Sequence, residues 1–178
     1  MNSIHEIAGN CLRLRLVAPP DAAFIHALRT DPAYNAHLSP VTGTVADQQA
    51  WITAYKAREA AGQEFYYIIE RQDGVPCGTV RLYGITQDSF TWGSWILNAD
   101  KPSGAALESA LLSFSVGFEG LGLSRADIDV RRDNARAISF YRRFGMTETG
   151  ADSENLYFEL TGARFAALSA SLREQLEA

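Results

Sequence analysis

A strand that runs almost directly into a helix constrains the fold of this sequence more than any other feature. Residues 89–97 read Ser-Phe-Thr-Trp-Gly-Ser-Trp-Ile-Leu, an aromatic and β-branched run of strand length. Residues 105–114 are rich in Ala, Leu and Ser, and their apolar side chains recur at helical spacing. The turn at residues 101–104 leaves the first N–H groups of the helix without intrahelical acceptors, at the positive end of the helix dipole. Such a turn predicts an anion site that suits a phosphate or a pyrophosphate.

The rest of the chain alternates between strand and helix patterns, without repeats or low-complexity linkers. Period-two alternation and β-branched or aromatic runs predict strands, which we place at residues 11–17, 64–71, 78–85, 89–97, 125–130 and 155–160. Helical spacing predicts helices, which we place after residue 21, at residues 45–61, 105–120 and 134–145, and at the C-terminus. This order of elements predicts an α/β fold in which helices flank a central mixed sheet.

Local signals fix several of these boundaries. The Asp-Gly pair at residues 73–74 predicts a hairpin between two strands. Thr44, with Asp47 three residues later, resembles a capping box at a helix start. Pro32 ends the first helix, because the residue before a proline is pushed out of helical geometry. We expect the segment that follows to be a loop, through Tyr34, His37 and Leu38.

Composition limits the number of domains and the classes of partner. The chain has 178 residues, of which 47% are hydrophobic, which suits a single domain over residues 1–178, with a core at about 10–162 and a C-terminal helix at about 163–176. Its formal net charge of -5 argues against binding nucleic acid or an anionic membrane through the overall field. No apolar run approaches the roughly 20 residues of a membrane helix, and the N-terminal residues lack the pattern of a secretory signal. We expect a soluble cytoplasmic protein that is a monomer or a homodimer.

Other conspicuous residues have simple structural interpretations. The three histidines (5, 26 and 37) and two cysteines (11 and 77) show no zinc-ligand spacing, so we expect no metal. Asp127 and Asp129 alternate along one predicted strand and are most simply a solvated face. Trp51 and Tyr55 lie at helical spacing, and we favour packing for both.

Two segments carry a resemblance to a known family. Lys101-Pro102-Ser103-Gly104-Ala105-Ala106 occupies the frame of the Gln/Arg-x-x-Gly-x-Gly/Ala turn of the GNAT superfamily of acyl-CoA-dependent N-acyltransferases. Residues 134–145 are similar to that family's later Asn-containing helix. Residues 12–15 and 28–32, the helix with Trp51, and Glu108 look like the branch that contains ribosomal-protein N-terminal acetyltransferases and nucleotide-aminosugar N-acetyltransferases. The resemblance covers roughly residues 10–162 and implies the GNAT fold, a mixed sheet of six to seven strands flanked by helices, here with an extra C-terminal helix.

The resemblance implies acetyl-CoA as co-substrate. In the family a splayed part of the sheet pairs with the amides of pantetheine, and a later asparagine bonds the pantetheine arm. The positions that the resemblance assigns to cofactor binding are Trp95, Ile96, Leu97, Lys101, Ser103, Gly104, Ala105, Ala106, Asn134 and Ala137. Lys101 replaces the usual Arg or Gln and keeps a cation without the bidentate fork, while Pro102 removes one backbone donor.

The resemblance also assigns one catalytic residue and leaves another role open. Tyr141 would lie near the sulfur as the general acid that protonates the leaving thiolate, although a core tyrosine with its hydroxyl at the surface is the alternative. Many family members carry a base on the strand before the cofactor turn, but residues 89–97 contain no carboxylate. The base is therefore unassigned, with His37 and Glu70 as candidates for water-mediated proton removal.

The acceptor has two candidate classes. The first hypothesis is a small amine, such as an aminosugar on a nucleotide, and the second is the N-terminal amine of a protein. Because the family places acceptor contacts near its first two helices, Tyr34, His37 and Trp51 are the candidate contacts. A non-catalytic CoA-binding sensor domain is a third reading. The arginines near the later helix could supply a cation to the 3′-phosphate of CoA, or form a solvated surface: Arg131, Arg132, Arg136, Arg142 and Arg143.

Overall fold

Apolar side chains that alternate with polar ones, or run without interruption, form the strands of a single mixed sheet in the computed structural model, which describes residues 3–178. The sheet has the order β1-β2-β3-β4-β5-β6-β8-β7, in which only β5 and β6 are parallel neighbours. Its strands are β1 (Glu6–Ala8), β2 (Leu12–Leu16), β3 (Phe65–Arg71), β4 (Pro76–Tyr83), β5 (Ser89–Leu97), β6 (Arg125–Arg131), β7 (Thr147–Ala151) and β8 (Asn155–Thr161).

The helices begin and end where local signals place them. Thr44 and Asp47 form the predicted capping box at the start of the second long helix, and Gly145, at φ 102°, ends the helix before it in a left-handed conformation that favours glycine. The helices are α1 (Ala22–Thr30), α2 (Pro32–Asn35), α3 (Val45–Ala60), α4 (Ala105–Ser115), α5 (Ala135–Phe144) and α6 (Gly162–Glu177). Within residues 3–178, no helix is long and apolar enough to cross a membrane.

The predicted α/β fold is confirmed, with three local differences. The sheet has eight strands rather than six to seven, because β1 is only three residues long and β7 has no buried residue, so neither shows a clear pattern. The expected loop after Asp31 begins as α2, because Pro32 suits the first helical position and the Asp31 carboxylate accepts from the Ala33 N–H at 2.9 Å. The fourth helix is α-helical only to Ser115 and finishes in a π-helical turn at Val116–Gly120.

Two apolar clusters hold helices to the two faces of the sheet. The larger one joins α4, α5 and α6 to the inward face of β2–β6 and β8, with Phe114, Phe158 and Phe165 fully enclosed. The smaller one packs α1 and α3 onto Tyr66 and Ile68 of β3. Helices therefore cover both faces of the sheet. An opening through the sheet itself can lie only where two neighbouring strands stop pairing.

Pairing fails between β5 and β6. These strands pair only from Ser89 to Thr91 with Arg125 to Asp127, and they diverge beyond that point. On its other edge β5 carries a bulge, because the four residues from Gly93 to Ile96 lie opposite the three from Thr79 to Arg81 on β4, and Ser94 adopts a left-handed φ of 49°.

Two indoles fasten the bulged strand to α4. Trp92 donates through Nε1 to the Ser113 Oγ at 2.9 Å, and Trp95 donates through Nε1 to the Ser109 Oγ at 3.1 Å. The strand is therefore anchored on both sides of its bulge, while its outer edge faces the gap to β6.

Candidate active site

The gap between β5 and β6 is a cleft of about 270 Å³. Residues 92–95 of β5 form one wall, residues 129–131 of β6 form the other, and the start of α5 closes the end. Of the residues predicted for the site, the cleft contains Tyr34, His37, Trp95, Asn134, Ala137 and Tyr141. The fold therefore gathers side chains from five separate segments at the one place where the sheet opens.

A second cavity, of about 320 Å³, continues from the cleft toward α4. Trp95, Asn134 and Ala137 line both spaces, so the two form one channel along α5. Three cations line this part, Lys101, Arg136 and Arg143. A channel that is narrow between the strands and cationic at its outer end suits a long ligand with a phosphorylated head.

The turn before α4 presents free backbone donors. Gly104 is the N-cap, at φ 76°, and the Ala105 N–H is engaged by the Pro102 carbonyl at 3.3 Å. Within residues 3–178, the N–H groups of Ser103, Gly104, Ala106 and Leu107 have no acceptor. In the predicted anion site, the Ala105 N–H is therefore already hydrogen-bonded within the protein. The Leu107 N–H is a further free donor, which the sequence motif did not include.

The three β5 residues predicted to contact the cofactor lie differently. Trp95 and Leu97 line the cationic cavity, whereas Ile96 is only 5% exposed and lines neither part of the channel. Its carbonyl points toward β4, where a Cβ on Gly78 would lie 2.2 Å from the Ile96 oxygen. Neither the side chain nor the carbonyl of Ile96 therefore faces the channel, and its role in cofactor binding stays a prediction.

Tyr141 is buried in the wall of the cleft. Its ring packs edge-on against Trp92 and Phe158, at centroid distances of 6.0 and 5.6 Å, and its hydroxyl has no hydrogen-bond partner in the described chain. Burial raises the pKa of Tyr141 well above its ordinary value of 10.0, and the nearby Asp129 charge adds to the shift. The phenol therefore carries its proton at neutral pH and can donate it.

Asn134 has a structural role that leaves it free to bind. Its Oδ1 caps α5 by accepting from the Ala137 N–H at 3.2 Å. The amide NH2 has no acceptor within residues 3–178, so it can donate to a ligand in the channel where Asn134 lies.

On the other side of the β5 bulge lies a larger cavity, of about 590 Å³. Ser94 lines both this cavity and the cleft, so the two meet at the bulge. Two buried polar atoms among its lining residues have no partner, the Arg29 Nε and the Tyr66 hydroxyl. Such unpaired atoms in a cavity wall are costly unless a ligand or water satisfies them.

The predicted acceptor contacts are divided between these spaces. Trp51 lines the larger cavity, and it also stacks on Tyr55 at a centroid distance of 5.7 Å, in line with the packing interpretation. Tyr34 and His37 line the cleft instead. The Tyr34 hydroxyl accepts from the Ala99 N–H at 3.1 Å, and the His37 Nε2 lies 3.4 Å from an Asp133 carboxylate oxygen.

Of the two candidate bases, the structure removes one. Glu70 is 4% exposed and accepts from the Arg13 Nε at 2.7 Å and the Arg15 Nε at 2.5 Å. It lines none of the cavities described above, so its proposed role as a base is wrong, and it serves as an internal counter-ion. His37 stays in the cleft and remains a prediction.

Sequence reasoning missed Asp129. The interpretation of Asp127 and Asp129 as one solvated face holds for both, because Asp129 is exposed and the Asp127 side chain is half exposed, but Asp129 also lines the cleft. The alternation along β6 placed both side chains on one face of the sheet. It did not show that β5 stops pairing with β6 two residues before Asp129. No group of three or more His, Cys, Asp or Glu within residues 3–178 could hold a metal ion.

Comparisons with known proteins agree with this geometry. Residues 12–147 match the family model of the acetyltransferase (GNAT) domain. Apo FdhC, described as a nucleotide-linked sugar GNAT, is 39% identical, with a TM-score of 0.87 over 93% of this chain and 95% of that one. RimJ of Mycobacterium smegmatis in complex with CoA-disulfide shares the fold at 21% identity and a TM-score of 0.73, over 91% of this chain and 90% of that one. A search of the curated proteins found no significant match.

Proposed function

Because the chain belongs to the GNAT acetyltransferase family, we propose that it transfers an acetyl group from acetyl-CoA to a primary amine, by direct attack within a ternary complex. The observation that carries this proposal is the channel between β5 and β6, which ends beside free N–H groups and three cations. The acceptor that we propose is a small amine, such as an amino sugar linked to a nucleotide.

The residues of the channel fit acetyl-CoA along its length. Ser103, Gly104, Ala106 and Leu107 would donate to the diphosphate, with Lys101 as the nearest cation on the turn. The unpaired edge of β5 and the free amide of Asn134 would bond the amides of the pantetheine arm. Arg136 and Arg143, which line the same cavity, would attract the 3′-phosphate.

At the inner end of the channel, the chain would orient the thioester and supply a proton. The β5 backbone at the bulge, beside Ser94 and Trp95, offers donors that can polarise the thioester carbonyl. Tyr141 would donate its proton to the sulfur as the carbon–sulfur bond breaks. Because the bulge borders both cavities, an amine held in the larger one would approach the same carbonyl.

The larger cavity supports an anionic acceptor. Arg29, which forms no ion pair within residues 3–178, lines it together with the aromatic side chains of Trp51, Tyr66 and Tyr83; Arg81 also lines it but is paired with Glu64. Arginines beside aromatic faces suit a phosphorylated compound that carries a planar base. FdhC, at 39% identity, is described as acting on a nucleotide-linked sugar, which supports the same class of acceptor.

Two measurements test the proposal. Calorimetry with acetyl-CoA should show binding, and thiol release should then be screened with nucleoside-diphosphate-linked amino sugars, with polyamines and with peptides that have free N-termini. Turnover that favours the nucleotide-linked amines supports the proposed acceptor. Preference for peptides would indicate a protein N-terminal acetyltransferase, and binding without turnover of any amine would indicate a CoA-binding sensor. Absence of acetyl-CoA binding would exclude the proposed function.

A further inference from the structure

Asp129 stands in the cleft opposite the β5 bulge. The last paired residues of β5 and β6 are Thr91 and Asp127, and Asp129 lies two residues beyond them, on the same side of β6 as Asp127. It shares the cleft with Gly93, Ser94 and Tyr141. Its carboxylate is thus on the wall that faces the point where the cleft meets the acceptor cavity.

The charge of Asp129 is not neutralised by the protein. Asp127 accepts from the Arg125 Nε at 3.1 Å, whereas Asp129 has no hydrogen bond or ion pair within residues 3–178. Its field nevertheless reaches the hydroxyls on either side of the cleft, because it contributes to raising the pKa of Tyr141 and of Tyr83, in both cases after burial as the larger cause. The two hydroxyls come from different elements, α5 and β4, and Tyr141 lines the same cleft as the carboxylate.

We propose that Asp129 is the catalytic carboxylate that holds the amine of the acceptor in the cleft and removes its proton during acyl transfer. This inference rests on the proposed function. An amine that enters protonated first gives one proton to water through the Asp129 carboxylate; the neutral nitrogen then bonds to the acyl carbon, and the carbon–sulfur bond breaks with its electron pair on sulfur. The proton lost by nitrogen passes to the Asp129 carboxylate and then to water, and the Tyr141 proton passes to the thiolate. All atoms and charges are supplied by the two substrates, these two side chains and solvent.

A carboxylate suits this task although it is a weak base. An amine becomes far more acidic once its nitrogen bonds to the acyl carbon, so a nearby carboxylate can accept the proton at that stage. Before that stage, the same negative charge attracts a protonated amine into the cleft. The other titratable or charged groups around Asp129 come from β4, α5, β8 and the segments beside the cleft: Tyr83, Tyr141, Tyr157, His37, Arg131 and Glu154.

The test compares Asp129→Asn with Asp127→Asn, a matched change on the same side of the same strand but outside the cleft. Acceptors are a nucleoside-diphosphate-linked amino sugar, which is protonated near neutral pH, and hydroxylamine, which is not. We expect Asp129→Asn to lower kcat/KM for the amino sugar by about 100-fold and to leave the acetyl-CoA dissociation constant unchanged; the hydroxylamine reaction should fall by a smaller factor, because it loses the base but not the attraction of a protonated amine. Asp127→Asn should change each value by less than about twofold. Asp129→Glu should recover part of the activity.

Several outcomes overturn the inference. One is an Asp129→Asn enzyme with wild-type kcat/KM for the amino sugar. Another is a loss of turnover that comes with a lower free energy of unfolding or with weaker acetyl-CoA binding, which would make Asp129 a structural residue. Failure of the proposed function itself looks different, because the wild-type protein would then release no thiol with any amine, and the role of Asp129 would fall with it.

Discussion

The β2–β4 side of the sheet and the channel along β5, β6 and α5 differ in how many of their charges are neutralised by the protein. On the first, Glu70 bridges Arg13 and Arg15, and Glu64 pairs with both Arg58 and Arg81. On the second, Asp129, Lys101 and Arg136 form no ion pair within residues 3–178. Charges neutralised by the protein hold strands and helices together, whereas charges left without a counter-ion remain available to a ligand. We therefore expect substitutions on the first side to change stability and those on the second to change binding or turnover.

The largest effect should follow from Glu70→Gln. The side chain of Glu70 is 5% exposed, so the substitution leaves two arginines facing a group that no longer carries a charge. We expect the free energy of unfolding to fall by about 3 kcal/mol, measured by urea denaturation. Asp73→Asn, which removes an exposed partner of Arg71, should cost less than about 0.5 kcal/mol. The folded Glu70→Gln protein should keep its kcat. A large loss of kcat would show that Glu70 takes part in catalysis after all.

Tyr141→Phe should give the converse result. Loss of the proton donor should lower kcat by about 100-fold, or about 2.7 kcal/mol. Stability should hardly change, because the hydroxyl has no partner within residues 3–178. Since burial keeps the pKa of Tyr141 above 10.0, the wild-type pH–rate profile should show no loss of this acid below pH 10. Tyr157→Phe, at an exposed tyrosine, is the control, and equal kcat in Tyr141→Phe and wild type would remove the general acid from the mechanism.

A smaller effect is expected from Lys101→Ala. Lys101 is exposed and, within residues 3–178, its Nζ bonds only to the Asn98 carbonyl, at 3.5 Å, so it can attract the diphosphate. We expect the dissociation constant of acetyl-CoA to rise about fivefold at low salt, or about 1 kcal/mol, and the difference to shrink as ionic strength increases. Arg173→Ala, at a cation paired with Glu119 away from the channel, should leave the constant unchanged. If Lys101→Ala bound acetyl-CoA with the wild-type affinity, the backbone N–H groups alone would account for binding of the diphosphate.

The mildest effect should be a loss of stability in acid on the paired side. Burial acts to raise the pKa of Asp21 and of Glu64, but hydrogen bonds from Arg15 and Ala18 to Asp21, and from Arg58 and Arg81 to Glu64, outweigh it and hold both pKa values below the ordinary ones of 3.8 and 4.5.

The direction of the pH effect follows from these lowered values. Both carboxylates contribute stability above their unfolded pKa values, and the contribution is lost as the pH falls through that range toward the folded values. Urea midpoints should therefore hold between neutral pH and about pH 5 and drop as the pH falls further. Asp21→Asn should flatten that dependence, and an unchanged slope would contradict the assignment.

Much of the fold followed from the sequence because its signals are local. The Thr44–Asp47 box and the Asp-Gly turn at residues 73–74 each involve only a few neighbouring residues, and both are present as predicted. Short, exposed elements such as β1 and β7 owe their existence to a neighbouring strand, so no local pattern announced them.

The site was predictable only where a motif marked it. Asn134, Ala137 and Tyr141 lie on one helix, and the sequence alone could place them together; the structure brings them beside Trp95. Asp129 could not be found that way. Its place in the cleft depends on where β5 and β6 stop pairing, which no local pattern in either strand marks. The unpaired Arg29 and Tyr66 of the larger cavity are likewise visible only in three dimensions.

The bulge at Ser94 also fixes how many residues β5 must contain. Trp92 and Trp95 are an odd number of positions apart, so an unbroken strand would send their indoles to opposite sides of the sheet. The additional residue of the bulge returns Trp95 to the same face of the sheet as Trp92. Both indoles therefore bond to serines one turn apart on α4. Deleting Ser94 would move the side chains of Trp95, Ile96 and Leu97 to the opposite faces of the sheet. A one-residue gap here, in an alignment with any relative, therefore signals a different wall for the channel rather than a harmless change of length.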